Sequence, residues 1–201
     1  MNRRDVLKGL GLTLGYTIAA PSIMSLLHSC KTEAKVWTPQ FLSITEGIVL
    51  TNLVDLILPK TETTPGALEV NVPEFIDLLI FKVYEDEDKI KLKKGMESIL
   101  KALNIVDDNV SIIRTENYDN LLAKYLRSSK EQQKFYTHKD NENNEDAIIF
   151  NTLTNIRNTS VWAYKTSELV GENILAYDPI PGNQIGCAPL EELTGGKAWS
   201  L

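Results

Sequence analysis

"NEDAIIFNTLTNIRNTSVWAYKTSEL", Asn144 to Leu169, is the stretch from which the fold class is read. Asn144 followed by Glu145 and Asp146 has the form of a helix start: a short polar side chain able to accept a backbone N–H, then acidic residues at the positive end of the helix dipole. Ile148, Ile149, Leu153 and Ile156 follow at helical spacing, and the pattern is expected to run past Trp162 toward Leu169.

The same period recurs upstream. The polar run from Lys139 to Asn144 reads as a loop, preceded by a short helix that reaches Tyr136 and is capped by Ser128 or Ser129, and by a helix from Asn117 to Arg127. "EDEDKIKLKKGMESILKAL" (85–103) places acids first and lysines later, as the dipole of a helix favours, with Ile90, Met96, Ile99, Leu100 and Leu103 expected inward. From Thr45 to Leu58, Ile48, Val49, Leu53, Leu56 and Ile57 recur on one face, Thr45 is the expected N-cap and Pro59 stops the pattern. Between these lies "LPKTETTPGALEVNVPEF" (58–75), a loop in which Pro65 and Gly66 fit the centre of a tight turn and Pro73 the first turn of the next helix. That helix continues through Phe75, Leu78, Leu79 and Val83, with Glu74 and Asp77 near its positive end. From Ala176 onward the chain is irregular and marked by Pro and Gly, and is expected to gain order by packing along another surface, its own or a partner's. Alternating strand patterns are scarce, so the expectation is an all-α, compact single-domain helical bundle with an irregular Pro/Gly-rich loop and C-terminal tail.

The N-terminus reads as an address. Arg3, Arg4 and Lys8 form a cationic head, and no charged side chain occurs from Gly9 to Leu27, the form of an export leader. An anchor that is retained is the alternative. Arg3-Arg4-Asp5-Val6-Leu7-Lys8 resembles a twin-arginine signal, with Asn2 and Val6 departing from the usual residues; a paired arginine in an ordinary secretory leader is the other reading. Leu27-His28-Ser29-Cys30 resembles a lipoprotein processing site, which would make Cys30 the lipidated first residue of the mature chain; otherwise it is simply the end of the leader. The expected division is a signal peptide at 1–29, a tether at 30–40 and a helical domain at 41–201, exported to the periplasmic or outer-surface side.

Charge and composition exclude several functions. The chain carries 21 Lys+Arg against 27 Asp+Glu, a net of −6; without residues 1–29 it has 18 against 26, a net of −8. The basic residues are interleaved with acidic ones, which argues against nucleic acid. There is no GxGxxG after a strand and no CxxCH. His138, in a polar loop, is the single histidine after the leader. A ferritin-like di-iron site would need two Glu-x-x-His pairs, and a Ser–His–Asp triad has no GxSxG to accompany it. Cys187, the only cysteine besides Cys30, is read as a buried structural thiol, with a reactive thiol or an intermolecular contact as the alternatives. No catalytic, cofactor-binding or metal-binding residue is assigned.

"ILPKTETTPGALEVNVPEFID" (57–77), "WAYKTSELVGENILAYDPIPG" (162–182) and the tail "GGKAWSL" together resemble the gluconate 2-dehydrogenase subunit 3 family. The resemblance spans roughly residues 41–201 and is carried by Pro59, Thr64-Pro65-Gly66-Ala67 and Val72-Pro73, then by Tyr177 and Pro181-Gly182. It implies a small subunit without chemistry of its own that serves the assembly, stability and export of an FAD-dependent large subunit, with a cytochrome c subunit as a frequent companion. On that reading Thr64, Pro65 and Gly66, with Trp162, Tyr164 and Tyr177, are the candidate partner-binding residues; a plain connecting loop and core aromatics are the alternative. A stand-alone lipoprotein that binds a carbohydrate or another small ligand, and an enzyme with an unrecognised site, are the competing functions.

Overall fold

Three of the described helices start at a short polar side chain in extended backbone. Ser43 accepts the Glu46 N–H at 3.1 Å while the Glu46 carboxylate accepts the Ser43 N–H at 2.7 Å, a reciprocal capping box. Ser129 and Gln132 repeat that arrangement, and Asn144 Oδ1 accepts the Ala147 N–H at 3.2 Å. A computed structural model of the protein describes residues 37–105, 110, 113–180, 182 and 187–200. Arg3, Arg4 and Cys30 lie outside the described residues, as does Pro181.

The helices are α1 (Ile44–Ile57), α2 (Val72–Val83), α3 (Asp86–Ala102), α4 (Thr115–Leu126), α5 (Lys130–Thr137), α6 (Glu145–Thr166), α7 (Glu168–Asn173) and α8 (Leu190–Thr194), with a 3₁₀ turn at Lys139–Asn141. The expected all-α architecture is present. Among the described residues the only isolated β pairing is a parallel bridge between Ala176 and Trp199.

The long α6 is the centre of the bundle: α1 to α5 and α7 all pack on it. It buries Ile149, Leu153, Ile156, Ser160 and Ala163, a row spaced by three and four residues. α3 comes close against it at Gly95, which has no side chain; a Cβ there would stand 2.0 Å from Thr152 Oγ1.

Several sequence expectations are corrected. α1 is capped by Ser43, two residues before Thr45, because the capping box with Glu46 fixes the start; Ile48 faces out while Leu50 and Val54 are buried. On α3 the inward row is Leu92, Met96, Ile99 and then Leu103; Ile90 lies two residues from Leu92, about 200° around the helix, and is 69% exposed. α6 does not reach Leu169. Ser167 adopts extended backbone and its hydroxyl donates to the Tyr164 carbonyl at 2.7 Å, ending one helix before α7 begins. The irregular tail carries the short α8, and its end returns to the body of the chain: Ala176 N–H donates to Ala198 O at 2.9 Å, Ser200 N–H donates to Ala176 O at 2.8 Å, and Ser200 sits over Gly171 of α7. Cys187 is exposed, not buried, since it falls in the irregular part of that tail.

Candidate partner-binding surface

The loop from Pro59 to Asn71 is built by its own polar groups. Thr61 Oγ1 accepts the N–H groups of Thr63 (3.3 Å) and Thr64 (2.9 Å) and lies 2.7 Å from Thr64 Oγ1, while Thr61 N–H donates to Thr64 O at 3.0 Å. Ala67 N–H reaches back to Leu58 O at 2.9 Å, tying the exit of the loop to the end of α1. Glu69 binds Lys60 through one carboxylate oxygen and accepts the Gly66 N–H at 3.0 Å through the other. The Lys60 hydrogen bond first, and the Gly66 N–H second, hold the Glu69 carboxyl below the usual range.

The tight turn is not centred on Pro65-Gly66 as expected. It lies just after them, from Ala67 to Asn71, and closes with Val72 N–H on Ala67 O at 3.0 Å; the left-handed residue is Asn71, at φ 54°. Gly66 is required instead by close approach, since a Cβ on it would come within 2.8 Å of the Lys60 backbone nitrogen. Thr63 and Leu68 are exposed, Thr64 and Pro65 half-buried, and Gly66 buried.

α6 meets this loop directly. The Tyr164 hydroxyl donates to Pro65 O at 2.7 Å, a contact between residues 99 positions apart. Two residues earlier Trp162 stacks obliquely on Phe75 of α2, with ring centroids 5.4 Å apart, and stays 46% exposed. The structure therefore gathers Thr64, Pro65, Gly66, Tyr164 and, through Phe75, Trp162 at the junction of loop, α2 and α6. Tyr177 does not join them by any ring contact among the described residues; it lies beside the Ala176 bridge in the tail, 51% exposed.

The residues that sequence reasoning missed are on α2, "VPEFIDLLIFKV". One face, with Val72, Pro73, Ile76 and Ile80, enters the core. The opposite side is also apolar: Phe75, Leu78 and Phe81 are exposed there, with only Glu74 and Lys82 charged beside them, and Val83 is exposed at the end of the helix. A helix that is apolar all round belongs in an interior, yet half of this one faces solvent. The third charged residue of α2, Asp77, is 1% exposed. Its carboxylate accepts the backbone N–H groups of Gln40 (2.6 Å), Phe41 (3.1 Å) and Leu42 (2.9 Å), fixing the segment that enters α1. Sequence reading placed Asp77 near the helix dipole and carried no signal for partners more than thirty positions away.

Among the described residues no group of three or more His, Cys, Asp or Glu is placed to hold a metal ion, and no helix is long and apolar enough to cross a membrane. The family model described as Gluconate 2-dehydrogenase subunit 3 matches residues 45–182, a span that takes in the loop, α2 and the whole of α6. No curated protein and no solved structure matches the chain.

Proposed function

Because the chain belongs to the gluconate 2-dehydrogenase subunit 3 family, we propose that it is the non-catalytic small subunit of a dehydrogenase complex and that it docks an FAD-dependent large subunit through the outward face of α2. The observation that carries this reading is the exposed Phe75, Leu78 and Phe81 on a helix whose other face is already in the core. An apolar side chain of this size contributes about 1.5–3 kcal/mol when taken from full exposure out of water, and burying what is still exposed of these three beside Trp162 supplies part of that each, at the centre of an interface. The Pro59–Asn71 loop, held by Tyr164 and its internal hydrogen bonds, gives that centre a rigid border.

In this reading the reactivity and the flavin reside in the large subunit, a sugar or sugar-acid dehydrogenase, with a cytochrome c subunit as its electron acceptor. The small subunit supplies the address. Arg3 and Arg4 direct the folded pair through twin-arginine export, and Cys30, once lipidated, holds the complex at the membrane on the periplasmic or outer-surface side.

Co-expression of the tagged full chain with the large subunit tests the reading. The tag is expected to retain a yellow, flavin-absorbing protein, and Leu78→Glu with Phe81→Glu to release it without change in helical content. Recovery of the chain alone from its native membrane, or full retention by the double variant, would overturn the docking assignment. Fatty-acid labelling of cells is expected to mark the chain and to be lost in Cys30→Ala; equal labelling of both would remove Cys30 as the anchor.

A further inference from the structure

Away from α2, a groove of about 410 Å³ runs between α5 and α6. It is lined by Lys130, Lys134 and Arg157 together with Leu126, Phe150 and Thr154, and among the described residues no carboxylate lines it. This is unusual in a chain with a net charge of −6. Among the described residues none of the three cations takes part in an ion pair within 4.0 Å; Arg157 donates only to the amide oxygen of its neighbour Asn158. Thr154 adds a buried hydroxyl oxygen with no hydrogen-bond partner.

The arrangement is directional. Lys130 and Lys134 are one helical turn apart on α5, so their head groups repeat along the groove, and Arg157 faces them from α6. Three like charges that face one another without counter-charges repel, and an occupant that brings carboxylates relieves the repulsion. The half-buried Leu126 and buried Phe150 offer such an occupant an apolar seat.

We propose that this groove binds an acidic segment of a partner protein, with carboxylates spaced by one helical turn on Lys130 and Lys134, a further acid on Arg157 and an apolar side chain on Leu126 and Phe150. Charge complementarity and shape select this occupant over two others. A bilayer is too flat to enter a groove between helices. A free phosphate would remain solvated in an open groove whose two lysines are exposed.

The full-length protein is titrated with a labelled helical peptide of about 15 residues carrying Glu at i and i+4 and Leu at i+3, and with the same peptide carrying Gln for Glu. Fluorescence anisotropy is expected to show the acidic peptide binding about tenfold more tightly or better, a difference of about 1.4 kcal/mol. That advantage is expected to vanish in Lys130→Glu with Lys134→Glu, in Arg157→Glu and in the milder Lys130→Gln with Lys134→Gln, each with wild-type helical content. Equal binding of both peptides, or variants that bind as the wild type does, would overturn the proposal. So would preferential binding of phosphatidylglycerol vesicles, which would make the face a lipid contact, or displacement of the peptide by millimolar inorganic phosphate, which would make it a small-anion site.

Discussion

Asp77 is the residue on which the entry to the bundle depends. Three backbone N–H groups converge on its buried carboxylate, so Asp77→Ala leaves those donors without their acceptor and is expected to cost about 2–4 kcal/mol. Urea unfolding measures the loss, and hydrogen exchange should accelerate first at residues 40–42. A second cluster, built on the buried Tyr125 at the edge of solvent, gives the molecule a pH signature. The Tyr125 hydroxyl donates to Asp146 Oδ1 at 2.6 Å, and Lys124 reaches both groups. That bond from Tyr125, and then the one from Lys124, hold the Asp146 carboxyl below its usual range, whereas desolvation first and the Asp146 contact second push the Tyr125 phenol up. A lowered carboxyl contributes stability that is complete above about pH 4 and lost as the pH falls through its folded value; a raised phenol contributes stability that is complete below about pH 10 and lost as the pH rises. Tyr125→Phe removes the phenol and the first partner of Asp146 together, so the pH dependence of the urea midpoint is expected to flatten at both ends. None of these side-chain partnerships is legible in the sequence. Tyr125 and Asp146 are 21 positions apart, and nothing local marks one as the other's partner.

Elements were more legible than residues, and unevenly so. Asn144 caps the helix it was expected to cap, Ser129 is the one of the two candidate serines that caps α5, and Pro59 and Pro73 stand at the end and the first turn expected of them, because capping and proline act within three or four residues of themselves. Ser129→Ala is accordingly expected to cost about 1 kcal/mol, read as faster exchange along α5. Facing was harder to read. Phe75, Leu78, Leu79 and Val83 mark the helix in the sequence without saying which side goes inward, and the structure turns Phe75, Leu78 and Val83 to solvent and buries Ile76 and Ile80. On a helix that is apolar on both sides, periodicity offers two equally good faces. The structure separates them by substitution: Ile80→Ala is expected to destabilise the isolated chain by about 2–5 kcal/mol, whereas Leu78→Ser should stay within about 0.5 kcal/mol while weakening the complex.

At the scale of the whole molecule α6 is the common partner of six helices, so its loss is everyone's loss. Leu153, fully buried at its middle, is expected on replacement by Ala to lower stability by about 2–5 kcal/mol while unfolding stays a single cooperative transition by circular dichroism and fluorescence alike. The sequence by itself determined that the chain is helical, where most helices begin and stop, and which family its Pro/Gly loop and aromatic segments resemble. Caps, prolines and apolar spacing are local, and they act before any two helices meet. Tertiary structure alone decided that α2 keeps an apolar side outward, that Asp77 holds the entry to α1, and that Tyr164 closes on Pro65 across 99 positions. Those outcomes depend on how several helices share the surface of α6, a competition for space that no single segment encodes.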